Sequence, residues 1–232
     1  MKSGAIAFLD ILGFKGIWAS KSEEEVLPLL LDIPKVALAR YTKPSDDWPK
    51  TQAPEVTVLS DTIVVTIESD SPLSLLLLCT IVCDIIVHLL KKQMFLRGAI
   101  TWGSYTQSGP VFLGPAIDDA AAWHERADWI GVITTPKASY LIERMGNKQF
   151  KSNGVPVEPF LKYGVQLKNG QTVSLNTFNW PGFLNPTLPD KSKTLEDSLI
   201  GCFSVQAPFD LEVQRKYENT LAFVRHALKA AI

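Results

Sequence analysis

Neither sign of charge dominates this chain: 23 lysines and arginines stand against 24 aspartates and glutamates, a formal net charge of -1. That balance leaves no basic field of the kind that non-specific binding to DNA or RNA needs, so no nucleic-acid partner is expected. Cysteine is scarce as well. Cys79, Cys83 and Cys202 make an odd number and cannot form a disulfide framework, which fits buried thiols in a reducing, cytoplasmic setting. Histidine is equally scarce. His88 and His124 with Asp84 have no compact ligand spacing, so a zinc site is not expected. No secretory leader is read at the N-terminus, because Asp10 interrupts its apolar stretch and no small-residue cleavage site follows. Internal repeats and low-complexity tracts are also missing.

The long apolar run at residues 73 to 90, LSLLLLCTIVCDIIVHLL, approaches the length of a spanning helix. Asp84 and His88 decide against that. They are four residues apart and share one helix face, where lipid would cost several kcal/mol. A buried or interface helix is expected, and no membrane partner.

With 46% hydrophobic and 20% charged residues, the chain has the composition of a folded globular protein, and its 232 residues suit one α/β domain over residues 1 to 232. GAIAFL at residues 4 to 9 reads as a buried strand that delivers Asp10 at its tip, with Gly13 breaking it. Residues 23 to 41 read as a helix that starts near Ser22 and is interrupted or kinked at Pro28 and Pro34. Residues 42 to 54 read as a proline-containing loop. EVTVLSDTIVVTI, residues 55 to 67, reads as a hairpin turning at Ser60 and Asp61. Beyond the apolar helix come a strand at 95 to 105, a turn at Gly109 and Pro110, and a return strand at 111 to 114. A helix at about 116 to 128, a strand, a helix stopped by Gly146, a hairpin about Asn169 and Gly170, and a last helix at about 209 to 230 complete the order. This lacks the regular alternation of a doubly wound fold and predicts an α+β class with helices packed mainly on one face of a mostly antiparallel sheet. Residues 178 to 194, FNWPGFLNPTLPDKSKT, read as a long loop that serves as a lid, an interface arm or plain surface.

Two carboxylates stand out. If the hairpin carrying Asp61 pairs beside the first strand, Asp10 and Asp61 converge, and such a pair can hold hard divalent cations; aspartate is also an ordinary turn residue. Two ions roughly 4 Å apart would stabilise attacking and leaving oxygens in phosphoryl transfer.

The wording around these residues carries a resemblance. FLDILGFKG resembles the FxDIxGF segment that opens the catalytic domain of class III nucleotidyl cyclases, and VLSDTIVV resembles the hairpin bearing that family's second metal aspartate. RGAITWGSY is similar to its RxGIHxG strand, and FLGPAIDDAAAWHERAD to its WGxxVNxAARL segment. The likeness covers residues 4 to 142 and implies a ferredoxin-like cyclase fold. By it Asp10 and Asp61 are metal ligands with the Ile11 carbonyl, for two Mn²⁺ or Mg²⁺ ions per site. The backbone N–H groups of Leu12, Gly13 and Phe14 would face a triphosphate, at a turn that leads into a helix.

The departures narrow the reading. Where adenylate-type cyclases carry a base-contacting lysine four residues before the second aspartate, this chain has Thr57. Val111 stands in a second base-pocket position, Asp118 in the place of the ribose-binding asparagine, and Ala122 in that of the transition-state arginine. Asp118 and Glu125, seven apart, are expected to share a helix face, and Arg126 or Arg97 to supply the missing charge. The opening motif, Thr57 and AAAWHERADWIGV together resemble the pyrimidine cyclases of bacterial Pycsar antiphage systems. That group implies a homodimer with sites across the interface, the apolar helix and part of the sheet edge lying at or near it. It also implies a nucleoside triphosphate substrate, UTP favoured over CTP, and a separate cyclic-nucleotide effector protein. A degenerate fold that binds nucleotide without turnover is the alternative from another class.

Overall fold

The computed structural model describes residues 1–19, 21–39, 41, 51–146, 150–152, 155–188, 194–205 and 210–230. Most of the loop expected at 42 to 54 therefore lies outside the described residues. In chain order the elements are β1 (Lys2–Leu12), a 3-10 turn (Phe14–Ala19), α1 (Glu23–Leu38), β2 (Glu55–Leu59), β3 (Thr62–Glu68), α2 (Ser74–Leu90), β4 (Phe95–Ser108), β5 (Val111–Leu113) and α3 (Pro115–Trp123). They continue with β6 (Gly131–Thr134), α4 (Pro136–Met145), β7 (Phe150–Ser152), β8 (Val155–Val157), β9 (Phe160–Gln166), β10 (Thr172–Phe178), α5 (Trp180–Leu184), α6 (Leu195–Val205) and α7 (Leu211–Lys229).

The first six of these strands and helices form a β-α-β-β-α-β unit whose strands lie in the order β2-β3-β1-β4, with every neighbouring pair antiparallel. That is the split βαβ, or ferredoxin-like, order. The long β4 shares its outer edge between β5, paired at 106 to 108, and β6, paired in parallel at 97 to 100. The protein is α+β, with a mostly antiparallel main sheet.

Alternation along β1 sorts the two faces. Ala5, Ala7, Leu9 and Ile11 point into the large core with α1 and α2, whereas Ile6 and Phe8 meet α3 through Ala116, Ile117 and Ala120. Asp10 has the parity of Ile6 and Phe8. Its carboxylate is thereby assigned to the α3 face, away from the main core.

The apolar run becomes α2, eleven of whose residues are buried and none fully exposed. It packs on the sheet and against α1 and α5, so of the two expected settings, buried or at an interface, the structure shows burial within its own chain. No described helix is long and apolar enough to cross a membrane.

Three further expectations are corrected. α1 runs through Pro28 and Pro34 without interruption, because burial of Val26, Leu29, Ile33 and Ala37 along one stripe outweighs the lost hydrogen bonds. α3 ends at Trp123, with a turn at 124 to 126, so Glu125 and Arg126 lie beyond the helix and Asp118 and Glu125 share no helix face. Residues 178 to 188 are no lid: Phe178, Trp180, Phe183 and Leu184 belong to the core, with α5 in their midst. The rest of that segment, 189 to 193, lies outside the described residues.

Candidate active site

β1 does not end at Asp10. Ile11 and Leu12 continue the ladder opposite Leu96 and Phe95 of β4, so Asp10 sits within a strand, flanked by Thr62 of β3 and Arg97 of β4. This corrects its expected place at the tip. The β3 pairing stops at that level, and the next contact is the Ile11 N–H donating to the Asp61 carbonyl oxygen at 2.9 Å. One hydrogen bond thus joins the backbone beyond Asp10 to the β2–β3 turn, in which Ser60 takes a left-handed conformation at φ 57°. The hairpin does pair beside the first strand, and the backbones carrying the two aspartates are adjacent.

Asp10 is 8% exposed, and its Oδ2 accepts from Arg97 Nη2 at 2.7 Å. The guanidinium is equally buried, and its Nε has no hydrogen-bond partner among the described residues. A carboxylate this deep requires a cation or several donors beside it; here Arg97 is that cation.

Around this pair stand groups from two later segments. Glu125 Oε1 lies 3.8 Å from Arg97 Nη2 and 3.6 Å from His124 Nε2, and Glu125 Oε2 lies 3.9 Å from Lys168 Nζ. His124 is held by Phe8, ring centroids 4.8 Å apart, and by its Nδ1 against the Ala121 carbonyl at 2.6 Å. Lys168 comes from the β9–β10 hairpin, whose turn clasps the chain after α3: Lys168 N–H donates to the Arg126 carbonyl and Asp128 N–H to that of Gln166. Burial lowers the Lys168 ammonium from its ordinary value, the Arg97 charge adding to the effect and Glu125 opposing it. Sequence reasoning missed Lys168. It belongs to no motif, and only the hairpin fold carries it here.

The remaining predicted residues are spread more widely. Leu12 is paired in the strand, Gly13 is exposed at φ 79°, and Phe14 is buried at the start of the 3-10 turn with its ring edge-on to Trp18. Those three lie directly beyond the Asp10 level. Thr57 is half-buried on β2 opposite Val64, which itself faces Phe8, so Thr57 is one side-chain row from Asp10 on the same face. Arg126 turns elsewhere: its Nε donates to the Ala122 carbonyl at 2.7 Å and its guanidinium covers the Trp123 ring.

Val111 and Asp118 are not gathered at Asp10. Val111 pairs with Ser108 at the far end of β4, roughly 35 Å from Arg97 by the rise of an extended strand. Asp118 is exposed in the first turn of α3, beside Asp119, whose Oδ2 accepts from Thr101 and Thr135. Thr101 stands roughly 13 Å along β4 from Arg97.

The donor set suits a hard divalent ion in kind, since Asp10, Asp61 and the Ile11 carbonyl offer oxygen only. One Asp10 oxygen is engaged by Arg97, so an ion there would use the other oxygen or displace the guanidinium. Among the described residues no group of three or more histidine, cysteine, aspartate or glutamate side chains gathers.

No family model and no curated protein sequence matches the chain. Among solved structures it is similar to the catalytic core of a rhodopsin-guanylyl cyclase with converted specificity in complex with ATPalphaS, at 13% identity, over 76% of this chain and 96% of that one, with a TM-score of 0.47. It is also similar to a bacterial light-regulated adenylyl cyclase, at 14% identity over 73% of this chain, with a TM-score of 0.43; there it spans 53% of the other chain.

Proposed function

We propose that the chain is a nucleotidyl cyclase that converts a nucleoside triphosphate, UTP in preference to CTP or a purine, into its 3',5'-cyclic monophosphate and pyrophosphate. The observation that carries the reading is the hydrogen bond from Ile11 to the Asp61 carbonyl, which sets the two motif aspartates on adjoining backbone at one end of the sheet. The FLDILGF and VLSDTIVV motifs, which resemble class III cyclases, are the segments so joined.

In this reaction the ribose 3'-oxygen forms a bond to the α-phosphorus while the bond from that phosphorus to the bridging oxygen breaks, and pyrophosphate departs; the hydroxyl proton passes to water. Two Mn²⁺ or Mg²⁺ ions, held by Asp10, Asp61 and the Ile11 carbonyl, would supply charge for the attacking and leaving oxygens. This chain's own part is to fix the Asp10 carboxylate against Arg97, to offer the Gly13 turn to the phosphates, and to present cations from β4 and the β9–β10 hairpin. Thr57 supports the pyrimidine preference, because a threonine in a lysine's place withdraws a purine contact.

The separation of the predicted residues supports a homodimer, in which a second copy would bring Val111 and Asp118 to a site at Asp10. The apolar side chains of Leu59, 75% exposed beside the β2–β3 turn, and of Val111 and Leu113 on β5 are surfaces such a contact would cover. The buried thiols Cys79 and Cys83 fit a reducing cytoplasm, and the Pycsar resemblance supports a cyclic-nucleotide signal read by a separate effector in antiphage defence.

The test is to incubate purified protein with Mn²⁺ and each of ATP, GTP, CTP and UTP, and to identify products by mass. Cyclic UMP from UTP is expected, and Asp61→Ala, a turn substitution worth at most about 0.5 kcal/mol of stability, is expected to abolish it. No product from any triphosphate would favour the non-catalytic binding module, for which the Arg97 pairing of Asp10 is the supporting observation.

A further inference from the structure

α7 begins far beyond the motifs at residues 4 to 142, and the proposed chemistry uses none of its side chains. It is nevertheless bonded to the stretch of chain that passes the Asp10–Arg97 pair. That stretch, residues 124 to 131, brings Glu125 to 3.8 Å from Arg97 near its start and ends at Gly131, the β6 partner of Arg97. Residues 124 to 130 form neither helix nor strand. Their place is set from outside.

On one side the β9–β10 turn engages the Arg126 carbonyl and the Asp128 N–H. On the other side stands α7, where Arg215, Asn219 and Phe223 recur every four residues and so share one face. Arg215 Nε donates to Asp128 Oδ2, Asn219 Nδ2 donates to the Asp128 carbonyl oxygen at 2.8 Å, and Thr220 Oγ1 accepts from the Ile130 N–H at 2.8 Å. The Phe223 ring meets that of Trp129, with centroids 4.6 Å apart.

Trp129 and Phe223 are buried and hold α7 against the stretch, but hydrophobic attraction has no direction and tolerates a helix that slides or turns. The polar contacts do not. Asp128 is 1% exposed and its Oδ1 has no hydrogen-bond partner among the described residues, so this carboxylate depends on Arg215 for a cation. A buried pair of this kind adds little stability over apolar residues of the same volume. What it supplies is a fixed register.

We propose that Asp128 and Arg215 are positioning residues, which lock α7 in one register and through it hold residues 124 to 131 beside the Asp10–Arg97 pair. The purpose of the lock rests on the cyclase reading; the lock itself rests on the hydrogen bonds. α7 thereby supports the site from outside it. A reacting geometry tolerates little error, and a misplacement of about 1 Å costs up to about 100-fold in rate.

The experiment compares the full chain as wild type, Arg215→Met, Arg215→Lys and the double variant Asp128→Asn with Arg215→Met. Each is followed by urea unfolding, by amide hydrogen exchange, and by the rate of cyclic product formation with Mn²⁺ and the preferred triphosphate. Arg215→Met is expected to raise exchange about tenfold or more in peptides covering 124 to 131, with peptides from α2 unchanged. Its kcat, corrected for the folded fraction, is expected to fall about tenfold with KM within about twofold. Arg215→Lys is expected to restore a large part of kcat. The double variant strands no carboxylate, so its urea midpoint should exceed that of Arg215→Met while its kcat stays low. Wild-type kcat in the double variant overturns the inference, and so does unchanged exchange at 124 to 131. Comparison of Arg215→Lys with the double variant decides the matter even where Arg215→Met does not fold. A wild type that yields no cyclic product removes the cyclase reading, and exchange still reads the lock without turnover: a rise confined to 124 to 131 supports it and unaltered exchange overturns it.

Discussion

At Asp10 two demands meet in one side chain: the carboxylate is buried and must be paired, yet a role at a metal site requires oxygens that can be released. Arg97 meets the first demand at 2.7 Å. Removing one partner of such a pair leaves an uncompensated buried charge, so Arg97→Met is expected to cost about 3 kcal/mol in urea unfolding. Adding Asp10→Asn should recover a large part of that loss, because the stranded charge disappears with it. Equal stabilities for wild type and Arg97→Met would show that the pair is solvated in solution. Both residues were legible as candidates from their motifs. Their partnership was not, since it depends on the β1–β4 register that sets Asp10 opposite Arg97.

Among the elements, β6 and α5 depend on each other through a single glycine. Gly131 opens β6 at φ 137°, and a Cβ added there would lie 2.5 Å from the indole Nε1 of Trp180, which is 1% exposed. Gly131→Ala is therefore expected to destabilise the protein by about 2 kcal/mol or more, from backbone strain and overpacking together, measured as the shift in urea midpoint. A neutral result would mean that α5 shifts to admit the methyl group. The long elements were readable because their signals are long: alternation in β1 and β3, Val-, Ile- and Thr-rich strands, a Leu-rich helix, and turn glycines at 146 and 170. The five residues of α5 carry no period to read, and Pro181 with Gly182 reads as loop. Burial of Trp180 and Phe183 overrides those local signals. The end of α3 was misjudged for the opposite reason. Helix-favouring residues continue past Trp123, but Ala127 and Asp128 are drawn into bridging and backbone contacts with the β9–β10 hairpin.

For the whole molecule the decisive distance is the one along β4, which keeps Val111 and Asp118 away from Asp10 of the same chain. If two copies complete each other's sites, Asp61→Ala and Asp118→Ala are each inactive alone. An equimolar mixture, after exchange of subunits, then recovers roughly a quarter of wild-type cyclic product, since half the dimers pair unlike chains and each holds one intact site. A mixture as inactive as its parts would place Asp118 outside the site or the site within one chain. Specific activity should also fall on dilution through the dimer dissociation range, and sedimentation at the same concentrations checks that the loss follows dissociation.

The sequence by itself determined the α+β class, the hairpin that turns at Ser60 and Asp61, the buried character of the apolar helix, and the two aspartates as the residues to watch. All of these rest on local period, turn chemistry or short motifs, which act over a few neighbouring residues. Only the tertiary structure decided that Asp10 pairs with Arg97 inside the strand, that Arg126 turns away onto Trp123, and that Lys168 and Glu125 stand beside the site. Those are contacts between segments far apart in the chain, fixed by strand register and by the clasp of the β9–β10 hairpin on the residues after α3. No local pattern encodes them.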